Sequence, residues 1–159
     1  MLALKKVALG IDRALKSVII LLVVIMMIVG IMQIVFRYVL KSSLAWSEEL
    51  IRYCFVWTTF LCVPVGIHEG RHVAIDLLKN MVPHKYIRYY NSIIYIIEVL
   101  VFVVLVYFGY TFAMKNTTQL SAAMKLPMVY VISAIPVSGI LGIFYVITQI
   151  AIFDRESKL

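Results

Sequence analysis

Residues 17–36 read "SVIILLVVIMMIVGIMQIVF", twenty residues without one charged side chain. As a helix this stretch is about 30 Å long, the thickness of bilayer hydrocarbon. In that medium each backbone N–H and C=O must be bonded within the chain, so helix is the conformation open to it. The preceding residues 1–16, "MLALKKVALGIDRALK", are of another kind. Leu4, Val7, Ala8, Ile11, Ala14 and Leu15 share one helical face, and Lys5, Lys6, Asp12, Arg13 and Lys16 the opposite one. This pattern predicts a separate amphipathic helix over 1–16 lying in the membrane interface.

The rest of the chain repeats the first theme. Of 159 residues, 64% are hydrophobic and 14% charged. That balance suits hydrocarbon as solvent and predicts an all-α membrane protein, one domain over 1–159. The spans fall at about 17–37, 47–67, 91–113 and 127–153. The second span needs its charged start, "WSEELIR", to reach full length. Ser47 is expected to cap it, with Glu48 and Glu49 in the first turn and Glu48 paired to Arg52 one turn on. Pro64 and Pro136 are expected to kink the second and fourth spans. Cys54 and Cys62 fall on one helix about 12 Å apart and cannot bond to each other there.

The net charge of +7 has a simple origin. Lysines and arginines flank apolar runs, where they set topology and meet anionic lipid; nucleic acid is not an expected partner. Lys5, Lys6, Arg13, Lys16, Arg71, Lys79, Lys85, Arg88, Arg155 and Lys158 fall on one side of the four spans. Arg37, Lys41, Arg52, Lys115 and Lys125 fall on the other. The richer side is expected to be cytoplasmic, with both termini there.

Three patterns carry possible chemistry. His68-Glu69-Gly70-Arg71-His72 spells H-E-x-x-H, which on a regular helix would hold zinc with the Glu as general base. Gly70, just past the second span, fits a helix end better, and no third ligand stands at a recognisable spacing. Glu98, alone inside the third span, is a functional candidate of the kind small drug–proton antiporters use; those chains are shorter and place their acid in the first span. The three histidines share one loop region and cannot face each other across a haem. Small and polar residues instead form stripes suited to helix packing: Gly30/Gln33/Arg37, Asn91/Tyr95/Glu98/Gly109 and Ser138/Gly142/Tyr145/Gln149.

Residues 36–57, "FRYVLKSSLAWSEELIRYCFVW", resemble the small membrane subunit of tripartite ATP-independent periplasmic (TRAP) transporters. The likeness rests on Arg37-Tyr38 after span one, then Trp46-Ser47-Glu48-Glu49 with Arg52 and Trp57. It continues in His72 and Asp76 of "HVAIDLL", and in Pro127, Tyr130, Ile135, Pro136 and Gly139 of the last span. The resemblance implies a non-enzymatic subunit of the bacterial cytoplasmic membrane, without cofactor or metal. It implies two partners: a large elevator-type subunit with the substrate and sodium sites, and an extracytoplasmic binding protein that captures an acidic solute such as a C4-dicarboxylate or sialic acid. It gives Arg37, Trp46, Glu48, Glu49, Arg52, His72, Asp76 and Pro136 structural or subunit-interface roles, and the packing stripes point to the same for Glu98 and Gln149. The family pattern needs no histidine at position 68, so the zinc spelling reads as accidental. A reporter fused after Leu159 is expected to read cytoplasmic; an extracytoplasmic signal would overturn the topology.

Overall fold

The computed structural model describes residues 2–42, 44–69 and 87–156, with the side chains of all of these except 2–5, 88 and 151–156. His72 and Asp76, and most of the H-E-x-x-H spelling, lie outside the described residues. The helices are α1 (Leu2–Tyr38), α2 (Ala45–His68), α3 (Ile87–Lys115), a short α4 (Val129–Ile132) and α5 (Ala134–Glu156). α1, α2, α3 and the run Val129–Ile150, made of α4 and most of α5, are each long and apolar enough to cross a membrane. Among the described residues the only extended pairing is one antiparallel bridge, Leu120 to Pro127.

No separate interfacial helix exists among the described residues: residues 2–16 are the first turns of α1. The junction at 14–20 holds neither glycine nor proline to break it. Ser17 returns its hydroxyl to the Arg13 carbonyl at 2.9 Å, and Lys16 meets Asp12 one turn back at 2.7 Å. The helix runs on for about 55 Å, well beyond the hydrocarbon thickness. Its amphipathic start finds protein rather than lipid: Ala8 is buried in a core with Ile67, Phe102, Tyr145 and Val146, and Ile11 and Leu15 pack against it.

The helices stand in a row. α1 packs on α2, α2 on α5 and α5 on α3; α1 also touches α5 more lightly, which bends the row, while α1 and α3 share no extended contact. α5 is the most buried helix and α1 the least. The α3–α5 contact depends on glycine. A Cβ on Gly142 would lie within 2.5 Å of three atoms of the Phe102 ring, and one on Gly139 2.7 Å from Val106 Cγ2 and 3.1 Å from the Phe102 carbonyl oxygen. In lipid, where association rests on packing, such close backbone approach is what small residues permit.

The α2–α5 contact depends on proline. Pro64 sits inside α2 and lacks the N–H that would bond to the carbonyl of Phe60, four residues back. Ser138 of α5 donates its hydroxyl to that same carbonyl at 2.6 Å. In the last turn of α2, Gln149 of α5 donates its side-chain amide to the Ile67 carbonyl. The expected Pro64 kink is thus less informative than the acceptor it frees.

Two other details differ from expectation. The fourth span is broken, not kinked: α4 ends at Ile132 and α5 starts at Ala134, with Pro136 in its first turn. Pro136 cannot bond the Ile132 carbonyl, so the break falls just before it. Ser47 is not the cap of α2, which starts at Ala45 after Leu44; the buried Ser47 donates its hydroxyl to the Leu44 carbonyl at 2.7 Å.

Ser138→Ala should destabilise the folded subunit by about 1 kcal/mol, the scale of an interhelical hydrogen bond. The same change on a Pro64→Ala background should cost markedly less, because an alanine there supplies the N–H that the Phe60 carbonyl lacks. Melting of the four proteins in one detergent tests this; equal costs in both backgrounds would refute the coupling.

Candidate functional site: polar belts at both ends of the bundle

The polar residues within the spans gather at two levels. At the apical end, where α1 stops and α2 starts, Arg37 forms an ion pair with Glu48 at 2.7 Å and Gln33 donates to the same oxygen at 3.2 Å. Gly30, one turn below, faces Ile51, with room for a Cβ at 4.0 Å from its Cδ1. The expected Glu48–Arg52 pair does not form. Glu48 turns across the helix pair because Arg37 and Gln33 offer two donors there; Arg52 stays exposed and has no ion pair among the described residues.

Glu49 does different work. One carboxylate oxygen accepts the Ala123 N–H at 2.8 Å and the other the Met124 N–H at 2.9 Å. These amides belong to a tight hairpin between α3 and α4. There the Met128 N–H bonds the Gln119 carbonyl at 2.8 Å, the Ser121 N–H bonds the Leu126 carbonyl at 2.9 Å, and Lys125 takes a left-handed φ of 54°. Trp57 donates to the Tyr130 carbonyl at 3.1 Å, and Tyr53 points its hydroxyl at the Met128 sulfur. Glu49, Tyr53 and Trp57, at i, i+4 and i+8 on α2, thus hold the whole 119–130 segment. Trp46 lies exposed in the first turn of α2.

At the basal end, where α1 starts and α2 stops, Lys16 bonds both Asp12, at 2.7 Å, and Glu69, at 2.6 Å. His68 stacks on Tyr145, ring centroids 4.7 Å apart. Gln149 caps α2 as described. Glu98 is half-buried on α3 and Tyr95 packs on the core. From Lys16 to Arg37 the chain advances 21 residues, and from Glu48 to Glu69 it advances 21 again. Each interval is about 32 Å of helix, one hydrocarbon thickness. The two ion pairs therefore fasten α1 to α2 at both membrane edges.

The structure joins Arg37 to Glu48 and sends Glu49 to the 123–124 amides instead, while Pro136 and Gln149 serve contacts inside the chain. Sequence reasoning misses the Lys16–Glu69 pair, because it absorbs Glu69 into the H-E-x-x-H spelling. The equal 21-residue spacing is the available signal. Among the described residues no group of three His, Cys, Asp or Glu could hold a metal ion.

The sequence profile of the DctQ component of tripartite ATP-independent periplasmic transporters matches residues 26–154. The chain belongs to that family. It is 30% identical over 128 residues to the sialic acid TRAP transporter permease protein SiaT of Haemophilus influenzae, an alignment covering 80% of this chain and 21% of SiaT. Two H. influenzae proteins described as putative TRAP transporter small permease proteins also match. One is 33% identical over 73 residues, 46% of this chain and 45% of its own. The other is 29% identical over 154 residues, 96% and 93%. The chain thus spans about a fifth of SiaT and nearly all of one small permease protein. The TRAP small subunit is a transporter component and not an enzyme.

Arg37→Glu alone should weaken the α1–α2 contact by up to about 1 kcal/mol, the range for a half-exposed pair. Adding Glu48→Arg should restore it; failure of the double reversal to recover melting temperature would argue against the pair. Glu49→Gln should loosen the 119–130 segment, read as faster motion of a spin label at residue 122.

Proposed function

We propose that this TRAP small subunit is a static frame for the large membrane subunit during uptake of an acidic solute from an extracytoplasmic binding protein, driven by sodium. The observation that carries the reading is how the bundle spends its polar groups. Gln33, Arg37 and Glu48 join α1 to α2, Ser138 and Gln149 join α5 to α2, and Glu49 pins the hairpin. That arrangement favours fixed geometry over a moving carrier. The apolar flanks are left for neighbours: Met27, Ile28 and Ile31 on α1, and Ile96, Tyr107 and Phe108 on α3, are each more than half exposed. A frame needs such an unbroken apolar edge, since contacts in lipid rest on packing.

The acidic-solute class follows from the likeness to the sialic acid permease SiaT, and sodium coupling from what TRAP resemblance implies. The polar residues Arg37, Trp46, Glu48, Glu49 and Arg52 then shape the extracytoplasmic rim, and the basic excess around α1's start holds both termini in the cytoplasm of a bacterial cell. Arg52 and the exposed Lys41, Lys115 and Lys125 give that rim a positive edge.

The tagged chain, extracted in mild detergent, should bring down one large polytopic partner at about one to one. Proteoliposomes of that complex should take up the acid bound by its binding protein only under an inward sodium gradient. Recovery of this chain alone, or uptake unchanged without it, would sink the frame reading.

A further inference from the structure

α3 and α5 come close where Phe102 of α3 lies against Gly139 and Gly142 of α5. Basal to that crossing, an open groove of about 570 Å³ runs along α3. It is lined by Ile96, Val99, Leu100 and Val103, with Ile150 of α5 on its other side. The polar side chains of the lining, Ser92 and Tyr95, both stand at its basal end. Ile96 is 67% exposed, Leu100 61% and Val103 51%, so no described part of the chain covers them.

The depth of the groove in the membrane follows from the helix contacts. Ser92 lies ten residues basal of Phe102 on α3, about 15 Å. On α5, Gln149 lies seven residues basal of Gly142 and bonds the carbonyl of Ile67, two residues before Glu69. The Lys16–Glu69 ion pair is thus about 14 Å basal of the same crossing. Ser92 stands level with that pair, at the basal edge of the hydrocarbon. From Ser92 to Val103 is eleven residues, about 16 Å, or half of a hydrocarbon core about 30 Å thick. The groove therefore opens at one membrane edge beside a hydroxyl and ends near the midplane among aliphatic side chains.

This depth separates two kinds of occupant. A helix of a neighbouring protein crosses the whole bilayer and needs a face about 30 Å long. The tail of a lipid in one leaflet reaches half as deep and carries its polar headgroup at the mouth, where Ser92 and Tyr95 stand. Tyr89, 71% exposed and just beyond Ser92, is the kind of side chain that settles at headgroup level. The basal side also holds the greater share of the chain's lysines and arginines, which suits a phosphate.

We propose that this groove seats one acyl tail of a phospholipid from the basal leaflet, held as a fixed component of the subunit. In its basal half α3 has α5 as its one extended neighbour among the described residues. The tail is a second neighbour, and the one that Ile96 meets. Contact with a tail gains little over contact with bulk lipid, so retention rests on the fit of the groove and on headgroup contacts at its mouth.

The site stands independently of the transport reading. The subunit, purified with its partner and washed in detergent free of added lipid, should retain phospholipid by native mass spectrometry. Ile96→Trp with Leu100→Trp fills the groove with indole rings and should retain one phospholipid fewer per copy. Ile97→Trp, at the same depth but outside the groove and 52% exposed, should retain as much as the unaltered chain. The three positions face outward, so each variant should fold and be recovered with its partner. A density map of the unaltered complex should show a tail-shaped feature from Ser92 towards Val103. No retained lipid, an equal count in the groove variant, an equal loss in Ile97→Trp, or partner side chains filling the groove in the map would each overturn the site.

Discussion

A backbone carbonyl inside a membrane has no water to fall back on, and the fold is arranged around the few that α2 cannot satisfy itself. Pro64 releases the Phe60 carbonyl in mid-helix, and the carbonyl of Ile67 stands in the last turn of α2. α5 answers both, with Ser138 and Gln149 eleven residues apart on one face. Those two bonds set the rotation and height of α5 against α2. Rotation of α5 then decides what α3 meets, which is Gly139 and Gly142, and so how closely α3 can approach. The order α1–α2–α5–α3 follows from one helix with acceptors to spare and another with donors at the matching spacing.

The charged belts act at right angles to this logic. Side chains that would be costly in hydrocarbon stand where the hydrocarbon ends, and there they bond across helices. Ion pairs at half-exposed positions contribute little energy each. Their value here is positional. With one pair at either end of α2, neither helix slides along the other without breaking both. Glu49 extends the same idea to the loop, because two backbone amides on one carboxylate fix a hairpin's orientation better than one.

Much of this is legible in the sequence. The four spans and the polar stripes follow from composition and spacing. The stripe Ser138/Gly142/Tyr145/Gln149 reads as a packing face, but its partners do not. Ser138 serves α2 while Gly142, one turn on, serves α3, and a helical wheel does not divide a face between two neighbours. The start of α1 misleads for a related reason. Its amphipathic pattern fits a membrane surface and a bundle end equally, and the buried Ala8 and Asp12 tell them apart. The starts of α2 and α5 depart from expectation for local reasons: Ser47 is buried against Leu44 instead of capping α2, and Pro136 breaks the fourth span where the spacing predicts a kink.

A closed bundle of four helices has one outside; a row of four has two broad faces and two narrow edges. The contact of α1 with α5 bends this row, so its outer axes stand closer than three full helix-to-helix steps of about 8–10 Å each. Resistance of a bilayer to rotation of an embedded body climbs steeply with the body's breadth and hardly at all with its mass. The same number of residues laid out as a plank therefore opposes a turning moment better than it would rolled into a cylinder. Whatever is bolted along one edge of the plank gains a lever arm against the surrounding lipid, and the stiffness of the α2–α5 seam determines how much of that leverage reaches it.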